Sequence, residues 1–200
     1  MIRDAYRFLI PILILGILCA VFDFLYIAVP LFLLAAFVVF FFRNPRREIP
    51  AGQKLIVSPA DGKIVKIEDS GNGERCVSIF LSVFNVHVNR APIAGNLKRL
   101  EYRRGKFLAA YEDRASRVNE QNIITLESED IQVTFHQIAG LIARRVVCWK
   151  QPGDPIQRGE LIGLIRFGSR VDVELPEKVK IKVHVGDRVR GGCSILGEYE

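Results

Sequence analysis

The apolar positions fall into two regimes. From Phe8 to Phe42 the only charged side chain is Asp23. At ~1.5 Å rise per residue, one straight helix over that run would be about 52 Å long, against a hydrocarbon core of ~30 Å. Pro11, Asp23 and Pro30 punctuate the run, so it reads as two short helices, over 7–22 and 25–42, with a turn near Asp23. Arg3 and Arg7 precede it and Arg43, Arg46 and Arg47 follow. Positive flanks on both sides predict a hairpin, spanning or re-entrant, with both ends in the cytoplasm. Pro45 and Pro50 close the linker after it.

From Lys54 onward, short apolar runs alternate with Gly and Pro turns, the pattern of β-strands. Strands are expected at 54–58, 62–68, 75–81, 86–90, 95–103, 106–109, 122–127, 130–138, 142–149, 161–166, 170–175 and 180–184. Tyr111–Glu120 is polar and reads as a loop. The expected organisation is a membrane-associated hairpin and basic linker, 1–47, and a mostly β domain, 48–200. Gly153-Asp154-Pro155-Ile156-Gln157-Arg158-Gly159 is echoed by Gly186-Asp187-Arg188-Val189-Arg190-Gly191-Gly192, and Pro59–Ile64 by Pro92–Leu97. Gly-Asp turns feeding short strands resemble the flattened barrel-sandwich of biotinyl/lipoyl domains.

The net charge of +6 can serve an anionic membrane surface or a nucleic acid. No helix-turn-helix, zinc-finger or aromatic RNA-binding pattern is present, so nucleic acid is set aside and no metal site is expected. Cys19, Cys76, Cys148 and Cys193 form no C-x-x-C pair and no disulfide framework, which suits a reducing compartment. The apolar run is too long for a signal peptide, and Leu18 occupies the place where a lipoprotein signal before Cys19 wants a small residue.

One pair interrupts an otherwise strand-like run: Gly168-Ser169, between Leu164-Ile165 and Val171-Asp172-Val173. Glycine inside a strand marks a bulge or a close backbone approach. His87 titrates near neutrality and suits proton transfer. His136 and His184 need only structural roles, and Asp61 before Gly62 is by itself a turn former. Arg166 and Arg170 flank the Gly-Ser pair and suit bidentate binding of a phosphate. Gly192-Cys193-Ser194 also resembles a processing site, but it falls just after a repeated Gly-Asp turn.

Three stretches occur in fixed order behind the hairpin: Val57-Ser58-Pro59-Ala60-Asp61-Gly62, Phe80–Pro92 and Phe167-Gly168-Ser169-Arg170. With Gln137–Arg145, they resemble the phosphatidylserine decarboxylase family, and its short bacterial and archaeal branch most closely. The resemblance covers nearly the whole chain. It implies a proenzyme in which Ser169 attacks the carbonyl of Gly168, giving fragments 1–168 and 169–200 that stay together as a heterodimer, with Ser169 converted to a pyruvoyl group. That group would form a Schiff base with the head-group amine of phosphatidylserine and accept electrons as CO2 leaves, yielding phosphatidylethanolamine. Location at the inner cell membrane, with the catalytic domain in the cytoplasm, is implied too. His87 and Asp61 would assist. Longer relatives carry a second histidine that completes an Asp-His-Ser triad; this chain has Arg90 there. The competing expectation is a membrane-anchored biotinyl/lipoyl-like adaptor. Such modules often carry a modified lysine between methionines, and the single Met here is Met1.

Overall fold

The computed structural model describes residues 1–70, 73–109, 112, 114–141, 145–166 and 169–200. Its contacts divide the chain into two units, Met1–Arg46 and Arg47–Glu200. In the first, a 3-10 turn (Arg3–Ala5) leads into α1 (Tyr6–Val21), and α2 (Leu25–Phe41) packs back on it. Asp23 makes the turn at φ 59°, a left-handed value that Asp tolerates better than most residues. Small residues set the helix contact: Ala28 and Ala35 are buried, and a Cβ on Gly16 would lie 3.1 Å from the Phe32 ring. The outer face stays apolar, with Val21, Phe22, Tyr26 and Leu33 all more than two-thirds exposed. Arg3–Val21 is long and apolar enough to cross a membrane, whereas Leu25–Phe41 is a shorter apolar helix.

The second unit is mostly β, as the alternation predicts. Its strands are β1 (Leu55–Val57), β2 (Gly62–Asp69), β3 (Glu74–Leu81), β4 (Val88–Arg90), β5 (Gly95–Arg103), β6 (Gln121–Glu127), β7 (Gln132–Ala139), β8 (Val146–Cys148), β9 (Pro155–Ile156), β10 (Leu161–Ile165), β11 (Ser169–Pro176), β12 (Lys180–Ile181), β13 (Arg188–Val189) and β14 (Ile195–Glu198). A curled eight-stranded sheet runs β13-β2-β3-β11-β7-β6-β5-β9, antiparallel throughout. Two small sheets run β1-β14-β12 and β4-β10-β8. Val77, Ile79 and Leu81 of β3, Val171, Val173 and Leu175 of β11, and Val133 and Phe135 of β7 form the centre of the core.

The echoed sequences are a structural repeat. Reading the large sheet from either end exchanges β13 with β9, β2 with β5, β3 with β6 and β11 with β7, and the two small sheets then have the same order. Matching hydrogen bonds recur: Ile64 N donates to Asp187 O as Leu97 N does to Asp154 O, and Gly186 N donates to Ile64 O as Gly153 N does to Leu97 O. The register slips between Ile64 and Lys66 in one half and between Leu97 and Arg99 in the other. Gly153 and Gly186 hold φ of 96° and 104°, and Gly159 and Gly192 hold 78° and 79°, values that demand glycine. One half is continuous, Val88–Ile165. The other comprises Leu55–Leu81 and Ser169–Glu198.

Two local expectations differ from what forms. The run 106–109 contributes only an isolated bridge, Lys106 with Asn119, and a single helical turn, α3 (Ala115–Val118), falls within the expected loop. Lys106 N donates to Val118 O and Glu120 N to Lys106 O, so backbone pairing here needs only one residue of the apolar run.

Candidate active site

Ser169 opens β11, opposite Leu81 of β3 on one side and Ala139 of β7 on the other. Strand alternation sends Ser169 to the same face as Val171 and Val173, the core face. Ser169 is fully buried, and its Oγ has no hydrogen-bond partner among the described residues. Leaving a buried hydroxyl unpaired costs ~1–3 kcal/mol, so folding alone does not favour a serine here. Gly168 lies outside the described residues. The sequence read as one strand interrupted by Gly168-Ser169, and that reading is corrected: β10 ends at Ile165 in a small sheet, while β11 starts at Ser169 in the large one. Both runs alternate like strands, and alternation carries no information about which sheet each joins.

His87 is brought to this crossing. Its carbonyl accepts from Ile165 N at 3.2 Å, just before the chain changes sheets, and its side chain is buried. His87 Nδ1 lies 3.0 Å from Asn85 O. A carbonyl only accepts, so Nδ1 carries a proton, and Nε2 is the nitrogen that exchanges one when the ring titrates. Asn85 is itself fixed, because Ser82 N and Oγ both donate to its Oδ1.

Asp61 stands farther off. The register of β2 on β3 pairs Lys63 with Phe80, which pairs with Arg170. Asp61 therefore ends a strand two positions across the sheet from Ser169, ~10 Å away at ~4.8 Å per strand. Both Asp61 oxygens accept from Arg47 Nη2, at 2.9 and 2.8 Å, and Oδ1 accepts from Gly191 N at 2.7 Å. Arg90 belongs to the same cluster and donates to Gly159 O. Burial lowers its pKa, the charge of Arg47 lowers it further, and Cys193 and Asp61 oppose that. Arg90 is thus close enough to Asp61 to feel its charge, and its guanidinium cannot act as a base.

Arg170 leaves the opposite face of the sheet from Ser169, as adjacent strand residues must. It is 3 % exposed, and donates through Nε to Asp172 at 2.6 Å and through Nη2 to Ser78 Oγ at 2.8 Å. Ser116 Oγ donates to the other Asp172 oxygen. A cavity of about 470 Å³ on this face is lined by Arg170, Asp172, His136 and Glu174 among others. Arg166 N donates to Arg145 O just past the end of β10. His136 bridges Gln121 and Glu174 on the far face, and exposed His184 sits in a turn. Ser194 Oγ accepts from Arg190 N, so the Gly-Cys-Ser run is a closed turn.

Sequence reasoning missed a row of buried amides. Asn122 Nδ2 donates to Gln137 Oε1 at 2.9 Å, Gln137 Nε2 to Asn89 Oδ1 at 2.8 Å, and Asn89 Nδ2 to Pro59 O at 3.4 Å. The row ties the large sheet to β4 two residues along β7 from Ala139, the neighbour of Ser169. A signal was available: Asn89 and Gln137 are polar residues inside otherwise apolar strands. A cavity of about 860 Å³ lies elsewhere, around Gly95, Asn96 and Glu127–Asp130. It is the repeat's counterpart of the Ser169 region, with Ala94 where the first half has Asp61.

A sequence profile for phosphatidylserine decarboxylase matches residues 34–197. A phosphatidylserine decarboxylase proenzyme of Solibacter usitatus (strain Ellin6076) is 53 % identical over 84 % of this chain and 82 % of its own length. A protein of the same name from Carboxydothermus hydrogenoformans (strain ATCC BAA-161 / DSM 6008 / Z-2901) is 43 % identical over 100 % of this chain and 97 % of its own. A third, from Geobacter metallireducens (strain ATCC 53774 / DSM 7210 / GS-15), is 42 % identical over 97 % and 94 %. A buried serine hydroxyl, unpaired among the described residues and opening a central strand, is thus found in a chain that belongs to the phosphatidylserine decarboxylase family.

Proposed function

We propose that this chain is a proenzyme that cuts itself between Gly168 and Ser169 and, as a two-chain enzyme, converts phosphatidylserine to phosphatidylethanolamine. The observation that carries the reading is the buried Ser169 hydroxyl without a partner, at the start of a central strand. A pyruvoyl group made from Ser169 would supply an electron sink for loss of CO2, the part pyridoxal phosphate plays elsewhere. The site fits such a group: a small buried position between Leu81 and Ala139, with no partner to displace among the described residues.

The chain's own residues divide the remaining work. Ser169 Oγ is the nucleophile toward the carbonyl of Gly168. His87, held through Nδ1, takes and returns a proton at Nε2. Asp61 fixes Arg47 and the backbone of Gly191, and so acts through the cluster around Arg90. Arg166, three residues before Ser169 in the chain, is the cation for the lipid phosphate. Arg170, bound to Asp172 and Ser78 behind the sheet, holds the strand that carries Ser169. The N-terminal helices hold the enzyme at the cell membrane, with the β unit on the cytoplasmic face, where substrate head groups lie. The fragments stay together because 169–200 supplies β11 through β14, strands in both the large sheet and a small one.

Denaturing electrophoresis with mass spectrometry tests this. Purified protein should give 1–168 and a 169–200 fragment with a blocked N-terminus, and Ser169→Ala should stay whole and inactive. An active, uncut chain sinks the proposal. His87→Ala separates the two steps: normal cutting without decarboxylation would confine His87 to the second.

A further inference from the structure

The end of the sheet that holds Ser169 is also where the β unit exposes Phe84, Tyr102 and Leu141, each more than half exposed. β3 and β7 both run antiparallel to β11, so both finish beside Ser169, at Leu81 and Ala139. Three residues past Leu81, Phe84 is 69 % exposed; two past Ala139, Leu141 is 65 % exposed. The strand spacing places the two strand ends ~10 Å apart, on either side of β11. β5 finishes at the same end, since Arg103 pairs with Gln121 and Gln121 with Ile138. There Tyr102 is 56 % exposed. The charges of Arg104 and Arg145 both act on its phenol, against burial and Glu120, which raise its pKa. Arg104, Lys106 and Arg145 are exposed, and the Arg145 carbonyl accepts from Arg166 N at the crossing before Ser169.

We infer that this rim is a second membrane contact, separate from the helical unit, which seats the mouth of the active site on an anionic bilayer. Phe84 and Leu141 enter the acyl region, and Tyr102, Arg104, Lys106 and Arg145 lie among the head groups. Apolar tips ringed by an aromatic and cations are what an anionic interface binds. The inference rests on the proposed reaction in one respect. Ser169 is buried, so a head group whose acyl chains remain in lipid reaches it only if the opening faces the bilayer. A second copy of this chain is the poorer occupant. A two-fold contact centred on this rim would set Arg104 and Arg145 against their own copies.

Two experiments on the full chain test it. The first places the only tryptophan at the rim, as Phe84→Trp in a Trp149→Phe background. It uses vesicles of phosphatidylcholine and non-substrate phosphatidylglycerol with brominated acyl chains. Quenching of the introduced tryptophan by bromine is expected. Emission unchanged by bromine, whether because the site faces water or another protein copy, overturns the inference; this readout needs no catalysis. The second compares Phe84→Ser/Leu141→Ser with the parent. The variant should self-process normally and keep activity within about twofold on monomeric short-chain phosphatidylserine. On substrate in vesicles its kcat/KM should fall about tenfold or more, as two apolar side chains lose their burial. Parallel losses on both substrates, or none on either, refute the docking role. A parent that decarboxylates neither substrate refutes the proposed reaction instead, and the bromine result stands by itself.

Discussion

Asp172→Ala removes one partner of an ion pair that has almost no access to water. The Arg170 and Asp172 side chains are 4 % and 7 % exposed. Arg170 then retains only Ser78 Oγ, and Ser116 loses its acceptor. Stranding one charge of such a pair costs ~3–5 kcal/mol. For a domain of this size each kcal/mol lowers Tm by ~2–4 °C, so a fall of about 6–20 °C is expected. Arg170→Met/Asp172→Leu removes both charges and should be far milder, since apolar replacement of a whole buried pair is often neutral or stabilising. All variants are made on Ser169→Ala, so that every chain is uncut. Unfolding is followed in detergent by fluorescence of Trp149, the single tryptophan, which lies in the β unit. A single variant within about 1 kcal/mol of its parent, or a double variant as unstable as the single, would falsify the view of Arg170 as a buried structural cation. With Ser169 restored, Asp172→Ala should cut more slowly, because the strand that carries the nucleophile loses its tether.

Gly62→Ala should abolish processing, because its Cβ would stand 2.3 Å from Phe80 O in the row beside Ser169; Gly153→Ala, whose Cβ meets no atom and which carries only the backbone strain of φ 96° at a turn of the other half, should still cut on the same gel, at a lowered Tm. Burial, seconded by the Asp172 charge, pushes the Cys76 thiol up to about 12. The fold therefore favours the protonated thiol, a contribution complete below an ordinary thiol pKa and lost as pH climbs from about 9 toward 12; Cys76→Ser should flatten the alkaline limb of a Tm–pH curve. The hydrogen bond from His136 lowers the Glu174 pKa, with burial opposing it. That stabilisation is present above about pH 4.5 and disappears as pH falls, so Glu174→Gln should lose less Tm than the parent between pH 6 and 4. After cutting, fragment 169–200 should co-elute with 1–168 in non-denaturing size-exclusion chromatography and separate only in denaturant.

What the sequence revealed depended on whether a signal was local. The helices expected at 7–22 and 25–42 form at Tyr6–Val21 and Leu25–Phe41, because apolar run, prolines and flanking charge all lie within the segment. The long strands β2, β3, β5, β6, β7 and β11 were likewise legible from alternation. The short strands β9, β13 and β14 were not, since they exist only through partners elsewhere, as Pro155 does with Asn96. In the site, Ser169 and His87 could be picked out by residue type and motif. The amide row from Asn122 to Asn89 could not, because it joins the β6–β7 hairpin to β4, which lies far from it in sequence and in another sheet. The opposite facing of Ser169 and Arg170 was available from alternation alone, and it separates the roles of two residues that motif reading groups together.

The repeat gives the Gly168–Ser169 link a meaning of another kind. In the continuous half, β6 turns directly into β7, and Ser128 N donates to Ile131 O across that turn. The matching pair in the other half is Leu81 and Ser169, facing each other at the ends of β3 and β11. No tight turn joins them; the whole of Val88–Ile165 lies between them in the chain. In topological terms, one copy of the repeated motif sits inside the hairpin loop of the other, and Ser169 stands at the downstream junction. The cut proposed before Ser169 would fall between the two copies rather than within either one. A nested repeat thus offers the proposed fission a place where a new chain end leaves the pairing of β11 with β3 and β7 intact.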